Sequence, residues 1–174
     1  MRLRSGPGTV HAIVSRYEEG TAFAVVGKAP GGEWLKVEMP DSRYGWMLQT
    51  FLRLDGDIGT LPFIEITDSI IITGKVLDQN GEPVNAINMA LIQREGEESM
   101  RTDAFSTQDG TFYAYLPLDS QPPWTVQVVG VGCTSRIMDA DCKHSGTFDP
   151  AVITLEALPP SKEIVFTYLA DQEP

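Results

Sequence analysis

The chain has 174 residues, 42% of them apolar and 21% charged, a balance that suits one or two small globular domains. Its net charge of −11 is uneven: residues 1–54 hold seven Lys/Arg against five Asp/Glu, while residues 55–174 hold six against nineteen. The acidic majority argues against a nucleic-acid partner, which needs clustered Lys and Arg, and no apolar run approaches the roughly 20 residues of a membrane helix.

The first residues, "LRSGPGT", form a stiff, turn-rich loop with no leader before it. Pro7 fixes its own φ and keeps Gly6 out of the helical region. Gly6 and Gly8 are expected to supply backbone angles closed to other residues, and Arg4 has five donors with which to tie loop carbonyls together. Met1 running straight into this motif reads either as a cytoplasmic protein or as a fragment of a longer exported chain. Short strands with turns between them follow: "HAIVSR", "TAFAVVG", "EWLKVEM" and "GWMLQTFLRL". So many short strands in so few residues predict a small, strongly bent barrel rather than a two-layer sandwich. In "WLKVEM", alternation puts Leu35, Val37 and Met39 on one face and Trp34, Lys36 and Glu38 on the other.

The run "LRSGPGT", then Gly20-Thr21 before a Val-rich strand, then "WLKV", "YGWM" and "FL", resembles the bacterial SH3 domain over about residues 1–54. The resemblance implies binding to cell-wall peptides or other envelope polymers, or a spacer role beside a catalytic domain. Such domains usually carry a further strand before the loop. Here that strand is almost absent, which favours a fragment of a longer exported protein and leaves an open edge for another segment to cover. Trp34, Tyr44, Tyr17 and Trp46 are the candidate ligand-binding residues, a groove suited to flat apolar or amide ligands. The alternative is that Trp34 and Trp46 only cap the two ends of a small barrel.

Residues 55–68, "DGDIGTLPFIEITD", read as a connection. Leu61, Phe63, Ile64 and Ile66 are too apolar for a free tether, so part of it is expected to pack or to pair as an edge strand. From residue 69 the strands lengthen: "SIIITGKVLD", "NAINMALIQR", "MRTDAFST", "TFYAYLPL", "PPWTVQVVGVG", "AVITLEAL" and "EIVFTYL". Seven strands with turns at short intervals predict a β-sandwich over residues 69–170, followed by a tail at 171–174. The fold class is therefore all-β. The string Gly74, Val76, Asp78, Gly81, Pro83, Val84, then Thr107, Asp109, Gly110 and Phe112, resembles the carboxypeptidase regulatory-like domain, a transthyretin-like sandwich. That family implies a non-enzymatic accessory or adhesion-type module. Asp78 and Asp109 precede turns and can accept backbone N–H bonds there.

Catalytic signals are sparse. The chain has two histidines, His11 and His144, and two cysteines, Cys133 and Cys142. No serine or cysteine stands in a nucleophile elbow, and "GPG" leads into strands, so it is no phosphate-binding loop. The cysteines read as one disulfide, as two free thiols or, with His144, as part of a metal site. The spacing of Asp139, Asp141 and Asp149 fits no EF-hand. The sequence thus points to a non-enzymatic cell-envelope binding or adhesion-type fragment with no cofactor and no metal. Its expected partner is peptidoglycan or another envelope polymer, and its expected location is extracellular or in the envelope. The alternative is a pair of structural accessory modules without a ligand of their own.

Overall fold

In the computed structural model, which describes residues 1–95, 97–131 and 146–170, β-strands carry the whole architecture. The first five are β1 (Arg2–Arg4), β2 (Ile13–Arg16), β3 (Ala24–Lys28), β4 (Trp34–Glu38) and β5 (Tyr44–Leu48). They form one antiparallel sheet in the order β2-β1-β5-β4-β3. The alternation in β4 operates as its residue types require: Leu35 and Val37 turn inward, and together with Leu3, Met39, Met47 and Leu52 they make the core of this curled sheet. Two expectations change here. The strand before the glycine loop does exist, as β1, and it lies between β2 and β5 rather than at an edge. The run from Gly45 is not one long strand either: β5 stops at Leu48 and a 3-10 turn takes Gln49–Phe51.

The edge of the sheet at β3 is met by the following segment. Lys28 N–H donates to Pro62 O at 2.9 Å and Ile64 N–H to Lys28 O at 2.8 Å, which places a short parallel bridge beside β3. Leu61 and Ile58 pack on the core of the first sheet, whereas Ile64 and Ile66 turn toward a separate cluster described below.

Eight further strands follow: β6 (Ser69–Asp78), β7 (Ile87–Glu95), β8 (Glu98–Phe105), β9 (Thr111–Pro117), β10 (Trp124–Val131), β11 (Gly146–Asp149), β12 (Val152–Leu155) and β13 (Ile164–Ala170). They form two four-stranded sheets, β12-β10-β7-β8 and β11-β13-β6-β9. The sandwich therefore has eight strands, not seven. The extra one, β11, is four residues long with one large apolar side chain, Phe148, and it forms by pairing with β13. Between the sheets Ile72, Val76, Met89, Leu91, Phe112, Leu116, Trp124, Val126 and Phe166 make one buried core. All the pairings are antiparallel except β13 with β6.

Turn chemistry fixes the registers. Asp78 Oδ1 accepts from Asn80 N–H at 2.7 Å and Glu82 N–H at 2.9 Å, with Gly81 at φ +85° between them. Asp109 Oδ1 accepts from the Thr107 hydroxyl at 2.6 Å and from Thr111 N–H at 3.1 Å. These bonds favour the charged carboxylates, and both groups titrate below their usual range.

Candidate functional site

The register of β4 with β5 decides where the candidate aromatics go. Trp34 faces Leu48, Lys36 faces Trp46 and Glu38 faces Tyr44, so all six share the outer face, opposite the core of the first sheet. Part of that face is covered. Trp34 is 4% exposed and Trp46 2%, both packed with Ala29 against Tyr115 of β9. Tyr113, Ile64 and Ile66 complete this third cluster. The Tyr115 hydroxyl donates to Pro30 O at 2.7 Å, and burial raises its pKa well above the usual phenol value. Alternation along β9 turns Phe112, Ala114 and Leu116 into the sandwich core and Tyr113 and Tyr115 away from it. The structure shows that their face is a second buried surface, laid against the first sheet.

The glycine loop lies in the same junction. Thr9 Oγ1 donates to Arg101 O at 2.7 Å, and His11 Nε2 lies 3.0 Å from Ser69 Oγ. Ser69 Oγ in turn lies 3.2 Å from Asp68 Oδ1. A serine, a histidine and a carboxylate in sequence could suggest an activated nucleophile, but Ser69 and His11 are both buried. Burial also lowers the His11 pKa, which keeps the ring neutral. This chain of contacts is a tie between loop and sandwich. Arg4 Nη1 donates to His11 O at 2.7 Å, the loop-tying role its donors allow. Gly6 and Gly8 correct the expectation of special backbone angles, since neither has positive φ. A Cβ at Gly6 would lie 2.2 Å from His11 Cδ2, and one at Gly8 2.6 Å from the Tyr115 carbonyl oxygen. They are glycines because another group occupies the space.

An open cleft of about 760 Å³ remains on the outer face beside this junction, with Tyr17, Trp34, Leu48 and Phe51 among its walls. Tyr17 stacks edge-on against Phe23, with ring centroids 4.9 Å apart, and its hydroxyl donates to Met39 Sδ at 2.9 Å. The four candidate residues are therefore divided. Tyr17 and Trp34 share the cleft, while Trp46 lies under Tyr115. Tyr44, 52% exposed, flanks Lys36, whose Nζ is 5.9 Å from its ring and 5.6 Å from that of Trp46. Phe51, left out of the candidate groove, is 70% exposed. Continuing the strand through residue 54 hid it, and the 3-10 turn is what swings it outward.

Residues 1–53 match the family model of the bacterial SH3 domain. The match takes in the curled first sheet and every wall of its outer cleft, and the sandwich is packed on the outer aromatic face of that sheet. No curated protein matches the chain. Among solved structures, a DUF3823 family protein from Parabacteroides merdae is similar over 59% of this chain and 47% of its own, at 20% identity and a TM-score of 0.37. The chain spans about half the length of that protein. No helix among the described residues is long and apolar enough to cross a membrane. Cys133, Cys142, His144, Asp139 and Asp141 lie outside the described residues.

Proposed function

We propose that this chain is a non-enzymatic binding module of the bacterial cell envelope. In this reading residues 1–54 are an SH3 domain that engages a wall peptide or polymer. Residues 69–170 are a carboxypeptidase regulatory-like sandwich that holds it rigidly, and residues 55–68 are a packed connection between them. The location that goes with this role is extracellular, where Cys133 and Cys142 can form a disulfide. The observation that carries the proposal is the open, aromatic-walled cleft on a module matching the bacterial SH3 domain. Pockets of this size with apolar walls and a few polar groups suit small ligands or short peptide segments.

The structural reading, two accessory modules without a ligand, has one observation in its favour. Trp34 and Trp46, the largest candidate contact residues, are buried against Tyr115. Sedimentation of the whole chain with purified peptidoglycan separates the two. Binding that weakens in a folded Phe51→Ala variant and persists in Tyr44→Ala supports the cleft. A well-folded chain that stays in the supernatant supports the structural reading.

A further inference from the structure

The walls of the cleft carry a charge pattern that no described residue neutralises. On β1, Arg2 and Arg4 flank the inward Leu3, so both project from the outer face. Arg16, at the end of β2, is the register partner of Arg2. All three line the cleft, and no Asp or Glu lines it with them. The ion pairs found among the described residues are Arg43–Asp41 and Arg101–Asp103. In a chain with 24 acidic residues against 13 basic ones, three neighbouring guanidiniums thus have no carboxylate partner among the described residues. Burial, then the charges of Arg2 and Arg16, push the Arg4 pKa down, as expected where like charges meet without a counterion. Such a cluster is relieved by an incoming anion, and the planar guanidinium fork matches a carboxylate bidentately.

The rest of the cleft restricts which anion fits. Tyr17, Leu48 and Phe51 offer apolar surface beside the arginines, which a bare ion would not use. The cleft is walled by residues of the first 51 positions alone, and residues 55–174 carry nineteen acids against six basic residues. A long polyanion would leave the cleft and run into that field. We infer that the Arg2–Arg4–Arg16 cleft binds a short peptide bearing free carboxylates, its acid groups on the guanidiniums and its aliphatic parts against Phe51 and Leu48. The peptide's source in the wall rests on the function proposed above, whereas its chemistry rests on the cleft alone.

The test uses the full chain and two soluble probes, the tetrapeptide Ala-Glu-Lys-Ala with free carboxylates and its fully amidated counterpart, titrated by calorimetry. The acidic peptide is expected to bind at least about tenfold more tightly than the amide, and an Arg2→Gln/Arg16→Gln variant to lose about tenfold. Among the described residues neither arginine's side chain makes a hydrogen bond or ion pair, and the β1–β2 ladder runs through their backbones; circular dichroism checks that the variant folds. Equal binding of the two peptides, or binding unchanged in the variant, overturns the inference. So does tighter binding of a glycerol-phosphate oligomer, which would assign the cleft to phosphate. Peptidoglycan sedimentation of the same proteins separates the two proposals. Acidic-peptide binding without sedimentation keeps the cleft and removes the envelope role. Sedimentation indifferent to the arginines does the reverse.

Discussion

Gly8 abuts the Tyr115 carbonyl oxygen and the His11 ring, and Gly6 abuts that ring from another side. A methyl at either position must displace backbone or a buried ring, so Gly6→Ala and Gly8→Ala are each expected to cost about 1–3 kcal/mol, read from chemical denaturation. The same junction holds two titrating groups of opposite sign. Glu33 is raised from an ordinary 4.5 to about 8, first by burial and then by the charge of Asp103, against a hydrogen bond from the Phe105 backbone. Its folded form keeps a proton that the unfolded chain has lost, so stability falls as pH rises from about 4.5 to about 8. His11 has a folded pKa below its ordinary 6.5. There the unfolded chain takes up the proton first, so stability falls as pH drops below 6.5. Melting temperatures across this range should show both limbs. Glu33→Gln should flatten the alkaline one and leave the acid one; an unchanged alkaline limb would show that Glu33 does not titrate there.

At the scale of elements, the seven sandwich strands were legible because their apolar residues alternate and Gly, Pro, Asn and Asp break the runs between them. β11 was not, because four residues carry too little periodicity and its existence depends on a partner distant in sequence. A further device at the start of β7 was also hidden. The buried Ser106 hydroxyl accepts from Ile87 N–H at 2.9 Å and donates to Val84 O at 2.7 Å. It thereby staples the entry of β7 to the end of β8. Ser106→Ala leaves a buried donor and acceptor without that hydroxyl, and a loss of about 2–3 kcal/mol in urea unfolding is expected. Asp78→Ala, at an exposed turn, should cost only about 1 kcal/mol.

At the scale of the molecule, the outer aromatics of the first sheet and the outer tyrosines of β9 are each other's cover. Trp34, Trp46 and Tyr115 are buried together, and hydrogen bonds from Thr9 and Tyr115 run across the same junction. A junction of this kind should make the chain unfold as one unit, with equal calorimetric and van't Hoff enthalpies. Tyr115→Ala removes its centre and is expected to separate the trace into two transitions. Tyr115→Phe, losing only the bond to Pro30, should keep one transition and cost about 1 kcal/mol. Two transitions in the unaltered protein would show that the junction contributes little.

The sequence alone determined the all-β class, the SH3 resemblance of the first residues and the inward face of β4, because alternation and turn residues act over a few positions. It also placed Asp78 and Asp109 at their turns. The tertiary structure decided which outward aromatics are free. Alternation assigns a side chain to a face but cannot say what lies against that face. Trp34 is outward by pattern, yet it and Trp46 are both buried by a neighbour more than 60 residues away. The arginine cleft was hidden for the same reason: Arg2, Arg4 and Arg16 become one site only when β2 folds back on β1.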